Sequence, residues 1–490
     1  MIPPIGGEST QHRGDAVFAL PDKPASARLF GDPPGWEADL RERGIEVVAK
    51  GPAELAVAGP HQVGEALSCG ARDVIVDASR TAAAGLRRTG LHVRTLLPIP
   101  IQGSPTLYLN LDQRRAARHG IASRGTTTGR LRLVRDRIAG AAAASGLLAR
   151  AVSGVAVGTP SDGAPALIAA ARELGLPDRT AWNMVVSPGS AMRRNAFLIF
   201  APGSTEPDYA LKFSRVPGLT VQFEREERGL TAARAAGGSV AAVAPGPMGR
   251  VEVNRHHAAL ETAARGMRLA SFLRGPAEPD DKLEAIERVV AWLERVARET
   301  ASTPDMLAPE RRRIGREVLP EYGARVAADL AERLPPVPSV FCHNDPSDEN
   351  IMLRPEGLML LDWEWAQSHG LPLADLVYFG VGALRIMDGA SRNDQRVPHF
   401  VELMQGRAPS SARMFAWVER IARALELPRE TVGPVVTLGV LEHGHASRRE
   451  RHRFEEATGT SLAPAAAELM ASAWLSEPGL GPRWAAWGSA

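Results

Sequence analysis

The chain has 490 residues, of which 23% are charged and 44% hydrophobic, and its formal net charge at pH 7 is +2. These values are typical of a globular protein of two to four domains, and they exclude a disordered, collagen-like or disulfide-scaffold chain. The near-zero charge argues against a dedicated nucleic-acid-binding protein. Only four of the 58 cationic residues are lysines, namely Lys23, Lys50, Lys212 and Lys282.

Two cysteines, Cys69 and Cys342, are too few for a disulfide framework or a zinc site, so both are predicted to be buried free thiols. The first residues lack the charged and apolar regions of a signal peptide. No apolar run is long enough to suggest a transmembrane helix. We therefore expect a cytoplasmic protein without a transmembrane segment.

Residues 1–112 are predicted to form an α/β domain with a mainly parallel, Rossmann-like sheet, because short β-like runs alternate with helical patterns. The β-like runs are residues 16–20, 45–49, 73–77 and 92–97, and the helical patterns are residues 36–43, 62–69 and 80–88. No Gly-x-Gly-x-x-Gly turn follows any of these runs, so no residue supports a nucleotide site here. The function of this domain stays open.

Residues 113–164 are rich in arginine and then in alanine, and Asp136 is the one acidic residue among the arginines of residues 114–137. This pattern favours a basic Ala/Arg-rich linker helix region that packs on its apolar face. The alternative is peripheral contact of residues 114–137 with an anionic membrane or a polyanionic glycan.

From residue 165 onward, apolar strand-like runs at 183–187, 196–200 and 209–213 precede a charged helix and a mostly helical remainder. The pattern predicts an α+β class with two lobes. A small β-rich lobe is expected over residues 165–265 and a larger helical lobe over residues 266–490.

The most informative segment carries the spacing His-x-Asp-x-x-x-x-Asn, in His343, Asp345 and Asn350, followed by Asp362 at the end of an apolar run. Phosphoryl transfer needs one carboxylate that orients and deprotonates the attacking hydroxyl. It also needs an amide oxygen and a second carboxylate that hold Mg²⁺ on the phosphates. The pattern therefore predicts Asp345 as the base and Asn350 and Asp362 as metal ligands.

These motifs resemble those of the aminoglycoside phosphotransferase and choline-kinase branch of the protein-kinase-like fold, over about residues 165–490. That family's catalytic loop usually reads His-Gly-Asp, four residues and Asn, and its metal loop reads Asp-Trp/Phe-Glu. The run of residues 370–376 is similar to the family's Gly-x-Pro-x-x-Asp-Leu. The resemblance implies a bilobal kinase-like fold.

The same resemblance implies supporting roles around the catalytic loop. Asp375 is expected to brace the loop by hydrogen bonds, with His343 and Glu364 as further structural support. Asn344 stands where the family usually has glycine, a position where Asn is tolerated in left-handed geometry. Asp348 and Glu349, which add acid to the loop, are predicted to be a solvated pair.

The resemblance also implies a nucleotide clamp in the smaller lobe. Lys212 alternates with Leu211 and Phe213 in a strand-like run, as a phosphate-binding lysine on a strand requires. The family's Arg-Glu-x-x-x-Leu register selects Glu226 as its partner, with Glu224 and Glu227 as alternatives.

Two further nucleotide contacts are expected in the smaller lobe. A short loop with Gly189 and Ser190 connects two strands and is expected over the phosphates. Glu261 would be the first residue of the hinge, whose backbone reads the adenine edge.

Histidine pairs at His256 and His257 and at His443 and His445 have no Cys or carboxylate at zinc-ligand spacing, so they are predicted to lie at the surface.

The sequence thus predicts a phosphotransferase that uses Mg²⁺ and ATP, or GTP, to phosphorylate a hydroxyl of a sugar-like, aminoglycoside-like or other natural-product molecule. A basic cluster of Arg448, Arg449, Arg451 and Arg453 would equally suit an anionic acceptor. The alternative is a non-catalytic pseudokinase module whose N-terminal domain mediates assembly. The acceptor and the oligomeric state stay open.

Overall fold

The computed structural model describes residues 13–31, 33, 35–77, 80–101, 104–122, 139–143, 145, 154–186, 194–323, 330, 336–390, 392–458, 461–485 and 487. The chain divides into two compact units. The first comprises Met1–Phe223 with Gly246–Arg265, and the second comprises Glu224–Pro245 with Gly266–Ala490.

Twelve strands of the first unit form one sheet. They are β1 (Ser26–Phe30), β2 (Glu46–Val47), β3 (Leu55–Ala58), β4 (Asp73–Val76), β5 (His92–Ile101), β6 (Ser104–Asn110), β7 (Val155–Thr159), β8 (Ala181–Val186), β9 (Asn195–Phe200), β10 (Tyr209–Phe213), β11 (Pro247–Val253) and β12 (His256–Thr262). Their order is β11-β12-β10-β9-β8-β6-β5-β7-β4-β3-β1-β2.

Short helices accompany this sheet: α1 (Trp36–Glu42), α2 (Val63–Ser68), α3 (Arg80–Arg88), α4 (Arg114–Ala122) and α5 (Ala166–Ala171). A 3-10 helix covers Arg13–Ala19, where a strand was expected at residues 16–20. Every residue from Ala16 to Leu20 is buried. A fully buried apolar run has no alternation that separates strand from helix, which is why that prediction is wrong.

The predicted Rossmann-like arrangement is not confirmed. Among the described strands, only β1 with β2, β1 with β3, and β3 with β4 pair in parallel. β7 is antiparallel to both β4 and β5. It also lies within the segment predicted as a linker helix region, so the structure differs from that prediction at residues 155–159. Most of the basic segment, including residues 123–138, lies outside the described residues.

The sheet is continuous across the predicted boundary between the α/β domain and the β-rich lobe. β6 pairs with β8, with Thr106 opposite Val186 and Tyr108 opposite Met184. One hydrophobic core accordingly joins the N-terminal side chains of Val17 and Leu40 to Phe213 of β10. The strands of the predicted β-rich lobe thus share backbone hydrogen bonds and a hydrophobic core with the strands that precede them in the chain.

A buried ion cluster, the Asp15 cluster, connects distant segments of the first unit. Arg43 donates from Nε and Nη2 to Asp15 Oδ1, at 2.9 and 2.7 Å. Arg215 Nη1 lies 3.6 Å from Asp15 Oδ2, and all three side chains are fully buried. The cluster links the N-terminal 3-10 helix to the residue after α1 and to the end of β10.

The second unit is mostly helical. Its helices are α6 (Val221–Ala236, from Glu224 on), α7 (Gly238–Ala241), α8 (Leu269–Arg274), α9 (Pro279–Thr300), α10 (Pro304–Arg313), α11 (Ala374–Met387), α12 (Arg396–Met404), α13 (Ser411–Ala424), α14 (Arg429–Thr458), α15 (Ala466–Ser476) and α16 (Leu480–Ala485). Its strands are β13 (Met267–Arg268), β14 (Val340–Cys342), β15 (Ile351–Arg354), β16 (Gly357–Leu360) and β17 (Gln367–Gly370).

Small sheets of order β13-β15-β16 and β14-β17 lie in this helical unit. The predicted α+β class is confirmed. Within the described ranges, no helix is long and apolar enough to cross a membrane.

Candidate active site

The candidate catalytic loop, residues 343–350, begins where the buried strand β14 ends. Asn344 takes the expected left-handed conformation, with φ 63°. The backbone N–H groups of His343 and Asn344 donate to Asp375 Oδ2 and Oδ1, at 2.7 and 2.8 Å. Burial raises the pKa of Asp375 to about 6, although these two hydrogen bonds lower it. The first turn of α11 therefore holds the loop through its backbone.

Asp345, the candidate base, is held by the amide of Asn350. Asn350 Nδ2 donates to the backbone oxygen of Asp345 at 3.1 Å and to its Oδ2 at 2.8 Å. Burial raises the pKa of Asp345 to about 7, and the carboxylates of Asp362 and Glu364 add to the rise. The Tyr378 hydroxyl and the hydrogen bond from Asn350 oppose the rise in this pKa.

Asn350 and Asp362 flank the same end of the β15-β16 hairpin. Ile351 is opposite Leu360, and Leu361 N donates to Asn350 O at 2.8 Å. Because the Asn350 amide nitrogen is turned to Asp345, its side-chain oxygen is directed away from that carboxylate. One amide oxygen and one carboxylate form a donor set that fits Mg²⁺, which takes few protein oxygens and completes its shell with water and phosphate. In the described part of the chain, no three His, Cys, Asp or Glu side chains form a metal-binding group.

The turn after Asp362 packs against both the catalytic loop and α6. The Trp363 ring makes an edge contact with the His343 ring, with centroids 4.7 Å apart. Trp365 O accepts a 2.8 Å hydrogen bond from Asn344 Nδ2. A Cβ on Gly229 of α6 would lie 1.9 Å from Trp363 O, so only glycine permits this approach. Sequence reasoning missed Gly229, although a glycine inside a helical pattern is a recognised signal of close packing.

Asp348 and Glu349 are not the solvated pair that was predicted. Arg274, the last residue of α8, donates from Nη1 to Glu349 Oε1 at 2.6 Å and from Nη2 to Asp348 Oδ2 at 3.3 Å. The Asp348 residue is only 7% exposed. The loop between Asp345 and Asn350 is therefore fastened to α8 by an ion-paired arginine from a much earlier part of the chain.

In the first unit, Lys212 lies on β10 with its neighbours Leu211 and Phe213 fully buried in the core. Lys212 Nζ is 2.9 Å from Glu261 Oε1 of the adjacent strand β12, and the two side chains are 11% and 5% exposed. Glu261, expected as a hinge residue, is thus also a carboxylate partner of Lys212. Glu226 is buried on α6 in the second unit, and its pairing with Lys212 stays a prediction. Gly189 and Ser190 lie outside the described residues.

The prediction of surface histidines is wrong for His256 and His445, whereas His443 and His257 are half-buried. His256 and His445 are 1% and 3% exposed. His256 Nδ1 lies 2.9 Å from Ser214 O, and burial, with the nearby Lys23 ammonium, lowers the pKa of His256 to about 4. His443 stacks on Tyr378 with centroids 4.4 Å apart, and burial lowers its pKa to about 4. His443 and His445 lie on the long helix α14, and His256 lies on β12. The spacing of possible zinc ligands in the sequence does not reveal that these elements turn the rings inward.

The basic cluster near the end of α14 is neutralised by carboxylates of its own unit. Arg448 Nη1 lies 3.0 Å from Glu321 Oε2, and Arg451 Nη2 lies 2.9 Å from Glu468 Oε2. Arg449 Nη1 lies 3.4 Å from Glu317 Oε2, and Arg453 Nη1 lies 4.0 Å from Glu450 Oε2. These contacts remove the main reason to regard the cluster as an anion site.

A match to a known protein family covers the catalytic loop and parts of both units. Residues 193–400 match the model of the phosphotransferase enzyme family APH. The predicted resemblance is confirmed over this segment. So is the predicted enzyme class, a phosphotransferase with an alcohol group as acceptor. The matched segment contains Lys212, Asp345, Asn350, Asp362 and Asp375.

Solved structures with similarity to the chain share little sequence with it. A candidate aminoglycoside phosphotransferase from Ralstonia eutropha is 12% identical to the chain, with a TM-score of 0.43. The aligned region covers 65% of this chain and 96% of that protein. A choline/ethanolamine kinase family protein from Mesorhizobium loti is 14% identical with a TM-score of 0.36, with the same two coverages.

An aminoglycoside phosphotransferase from Streptomyces rimosus, solved with ADP and streptomycin, is 16% identical with a TM-score of 0.30. It covers 52% of this chain and 94% of its own. No curated protein matches the chain.

Proposed function

We propose that the chain transfers the γ-phosphoryl group of Mg²⁺-bound ATP to a hydroxyl of a small sugar-like or other natural-product molecule. The observation that carries this proposal is the arrangement of Asp345, Asn350 and Asp362 at the catalytic loop and the adjoining hairpin end. A half-buried carboxylate with an amide donor beside it, and a second carboxylate at the adjoining hairpin end, are groups that phosphoryl transfer uses.

In the proposed reaction, Asp345 orients the acceptor hydroxyl and takes its proton as the hydroxyl oxygen bonds to the γ-phosphorus. The bond from that phosphorus to the bridging oxygen breaks, and ADP leaves. Asn350 and Asp362 are proposed to hold Mg²⁺, which when bound neutralises charge on the phosphate oxygens. Positioning of the two reacting groups and electrostatic stabilisation supply most of the rate enhancement.

The remaining predicted residues have supporting roles in this proposal. Lys212 would pair with phosphate oxygens, with Glu261 and Glu226 as carboxylates that orient its ammonium. Gly189 and Ser190 would cover the phosphates. Asp375 would keep the backbone of the catalytic loop in place, supported by His343 and Glu364. The hydrogen bonds of Asp375 to the loop support its assignment directly.

The proposal is tested by a transfer assay with γ-labelled ATP, Mg²⁺ and a panel of acceptors. The panel holds glucosamine, streptomycin, choline and ethanolamine, which correspond to compounds in the names of similar structures, together with myo-inositol. We expect magnesium-dependent transfer by the wild type to at least one acceptor, or to water. Asp345→Ala and Asp362→Ala should each lower turnover by about 10³-fold or more.

Asp394→Ala is the matched control, because Asp394 is 62% exposed and pairs only with Arg392 among the described contacts. Its activity should equal that of the wild type. Two results would count against the enzyme: a wild type inert on the whole panel and on water, or Asp345→Ala and Asp362→Ala variants as active as the wild type. The first of these would favour the pseudokinase alternative.

A further inference from the structure

The middle of the catalytic loop contacts α8, a helix from a much earlier part of the chain. Ala270 N of α8 donates to Asp348 O at 2.8 Å. Arg274, the last residue of α8, donates from Nη1 to Glu349 Oε1 at 2.6 Å and from Nη2 to Asp348 Oδ2 at 3.3 Å. One guanidinium therefore joins two carboxylates that are adjacent in the chain, and a backbone hydrogen bond holds the loop beside it.

The helix that carries Arg274 is fixed by the core of the second unit. Leu269 and Leu273 of α8 are buried in that core. β13, directly before α8, pairs with β15, which directly follows the catalytic loop. Arg268 of β13 adds a longer contact, 3.7 Å from its Nη1 to Glu349 Oε2. Arg274 is thus attached to the loop from a support that side-chain packing and strand pairing hold in place.

Of the contacts that hold the loop, those of Arg274 lie directly before Asn350. At the start of the loop, Asp375 accepts hydrogen bonds from two backbone N–H groups. At its end, Asn350 Nδ2 donates to Asp345 Oδ2 at 2.8 Å, which directs the amide oxygen away from that carboxylate. The two residues that Arg274 binds immediately precede Asn350, so their backbone sets the position from which its side chain projects. Adjacent carboxylates repel each other when no cation lies between them.

We infer that Arg274 is a positioning residue, which acts through Asp348 and Glu349 on Asn350 and so raises the affinity of the site for Mg²⁺. The inference rests on the proposed function, in which Asn350 and Asp362 hold the metal. Arg274 takes no part in the making or breaking of bonds. Groups that orient metal ligands typically contribute about 10- to 100-fold to metal affinity, because the ligands are then in place before the metal binds.

Arg274→Gln tests this role, because it removes the guanidinium and its charge but keeps a polar side chain. Equilibrium binding of a fluorescent, non-hydrolysable ATP analogue is measured with saturating Mg²⁺ and again in EDTA. The dissociation constant in EDTA divided by that with Mg²⁺, the magnesium gain, reports the coupling between metal and nucleotide binding. We expect Arg274→Gln to lower the magnesium gain about 10-fold, or to abolish a smaller one. Affinity in EDTA should stay within about twofold of the wild type, whereas a general loss of folding would lower it as well.

Arg313→Gln is the matched control. Arg313 is half-buried like Arg274, lies in the same unit, and likewise joins two carboxylates, those of Glu310 and Glu442. Among the described contacts, it makes none with the catalytic loop. Arg313→Gln should therefore keep the wild-type magnesium gain. Arg274→Lys keeps the charge but lacks the fork that binds two carboxylates at once, so its magnesium gain should lie between those of the wild type and Arg274→Gln.

A wild-type magnesium gain in Arg274→Gln would refute this role, and so would an equal loss of the gain in Arg313→Gln. If Arg274→Gln does not fold, a wild-type gain in both Arg274→Lys and Glu349→Gln refutes it instead. If Mg²⁺ does not raise the nucleotide affinity of the wild type, the assignment of Asn350 and Asp362 as metal ligands fails, and this inference fails with it. A wild type with a magnesium gain and an unaffected Arg274→Gln is a failure of this inference alone.

Discussion

Burial shifts the pKa values of several side chains, and His256 is the clearest case. It is 1% exposed, and burial lowers its pKa from 6.5 to about 4, with the nearby Lys23 ammonium adding to the effect. The imidazole is therefore neutral in the folded chain at pH values where an unfolded chain would protonate it.

The pH dependence of stability follows from this difference. Between about pH 6.5 and pH 4 the unfolded state binds a proton at His256 and the folded state does not, so stability is present above pH 6.5 and is lost as the pH falls. The full loss is about 3 kcal/mol for this group. Thermal unfolding midpoints at pH 7.5 and pH 5 should show a larger drop for the wild type than for His256→Gln.

His257→Gln provides the control for that comparison, because the neighbouring His257 is partly exposed and lies 3.5 Å from the exposed Glu252. The His257→Gln variant should show the same drop in unfolding midpoint between pH 7.5 and pH 5 as the wild type. An identical drop in His256→Gln would show that other groups carry the acid sensitivity.

At the scale of elements, α6 and the turn after Asp362 approach each other through Gly229. A methyl group there would meet Trp363 O at 1.9 Å, which is far inside van der Waals contact. Gly229→Ala should therefore displace the turn that follows Asp362, destabilise the chain by about 1–3 kcal/mol and lower transfer activity. Unfolding in denaturant and the transfer assay measure the two effects.

Gly85→Ala is the matched helical control, since no atom lies within 4 Å of a Cβ at Gly85 on α3. This variant should gain up to about 1 kcal/mol from helix propensity and keep full activity. If Gly229→Ala and Gly85→Ala changed the free energy of unfolding by the same amount and in the same direction, the close approach at Gly229 would not limit the packing of α6.

Local motifs predicted which segments form the candidate site, whereas the long-range contacts around it could not be predicted from sequence. His343, Asp345 and Asn350 lie within one short segment, and the structure brings Asp362 to the same hairpin end by strand pairing. Gly229 was missed because its partner, Trp363, belongs to another element that is distant along the chain. The position of Lys212 on a strand was predicted from alternation, but its contact with Glu261 depends on the order of strands.

Errors in the predicted fold have a similar cause. Among residues 1–164, the strands β1, β3, β6 and β7 were not predicted, and in β3 and β7 every residue is buried, so no alternation marks them. The run at residues 16–20 is also buried throughout, and it was predicted as a strand although it lies mostly in a 3-10 helix. Segments with one exposed face, such as α3, were predicted at their observed bounds. The alternation of polar and apolar residues shows which side of a helix or strand faces water. It therefore gives little information about an element that is buried on every side.

On the scale of the whole molecule, the twelve-stranded sheet makes the N-terminal region part of the first unit's core. β8 pairs with β6 on one side, and the core around Phe213 includes Val17 and Leu40. Removal of residues 1–164 would expose the β8 edge and this apolar surface to water. An exposed, hydrophobic edge strand is a template for aggregation.

A chain that begins at residue 165 is therefore expected to aggregate or to unfold well below the wild-type midpoint. Size-exclusion chromatography and thermal unfolding measure this directly. Co-expression with residues 1–164 as a separate chain should restore solubility, because the missing strands and core side chains are then supplied. A monomeric truncated chain with the wild-type unfolding midpoint would contradict the expectation.

The Asp15 cluster bears on the order in which the chain can complete its fold during synthesis. Asp15 leaves the ribosome shortly before its first partner, Arg43. The second partner of Asp15, Arg215, is made only after β10. Contacts between residues so far apart in sequence are slow to form, because a long loop must close first. Residues 1–164 therefore emerge with Asp15 paired to Arg43 alone, and the second ion pair forms only after the segment that holds β10 and Arg215 has been made. Completion of the Asp15 cluster thus couples the folding of residues 1–164 to that of the later strands of the same sheet.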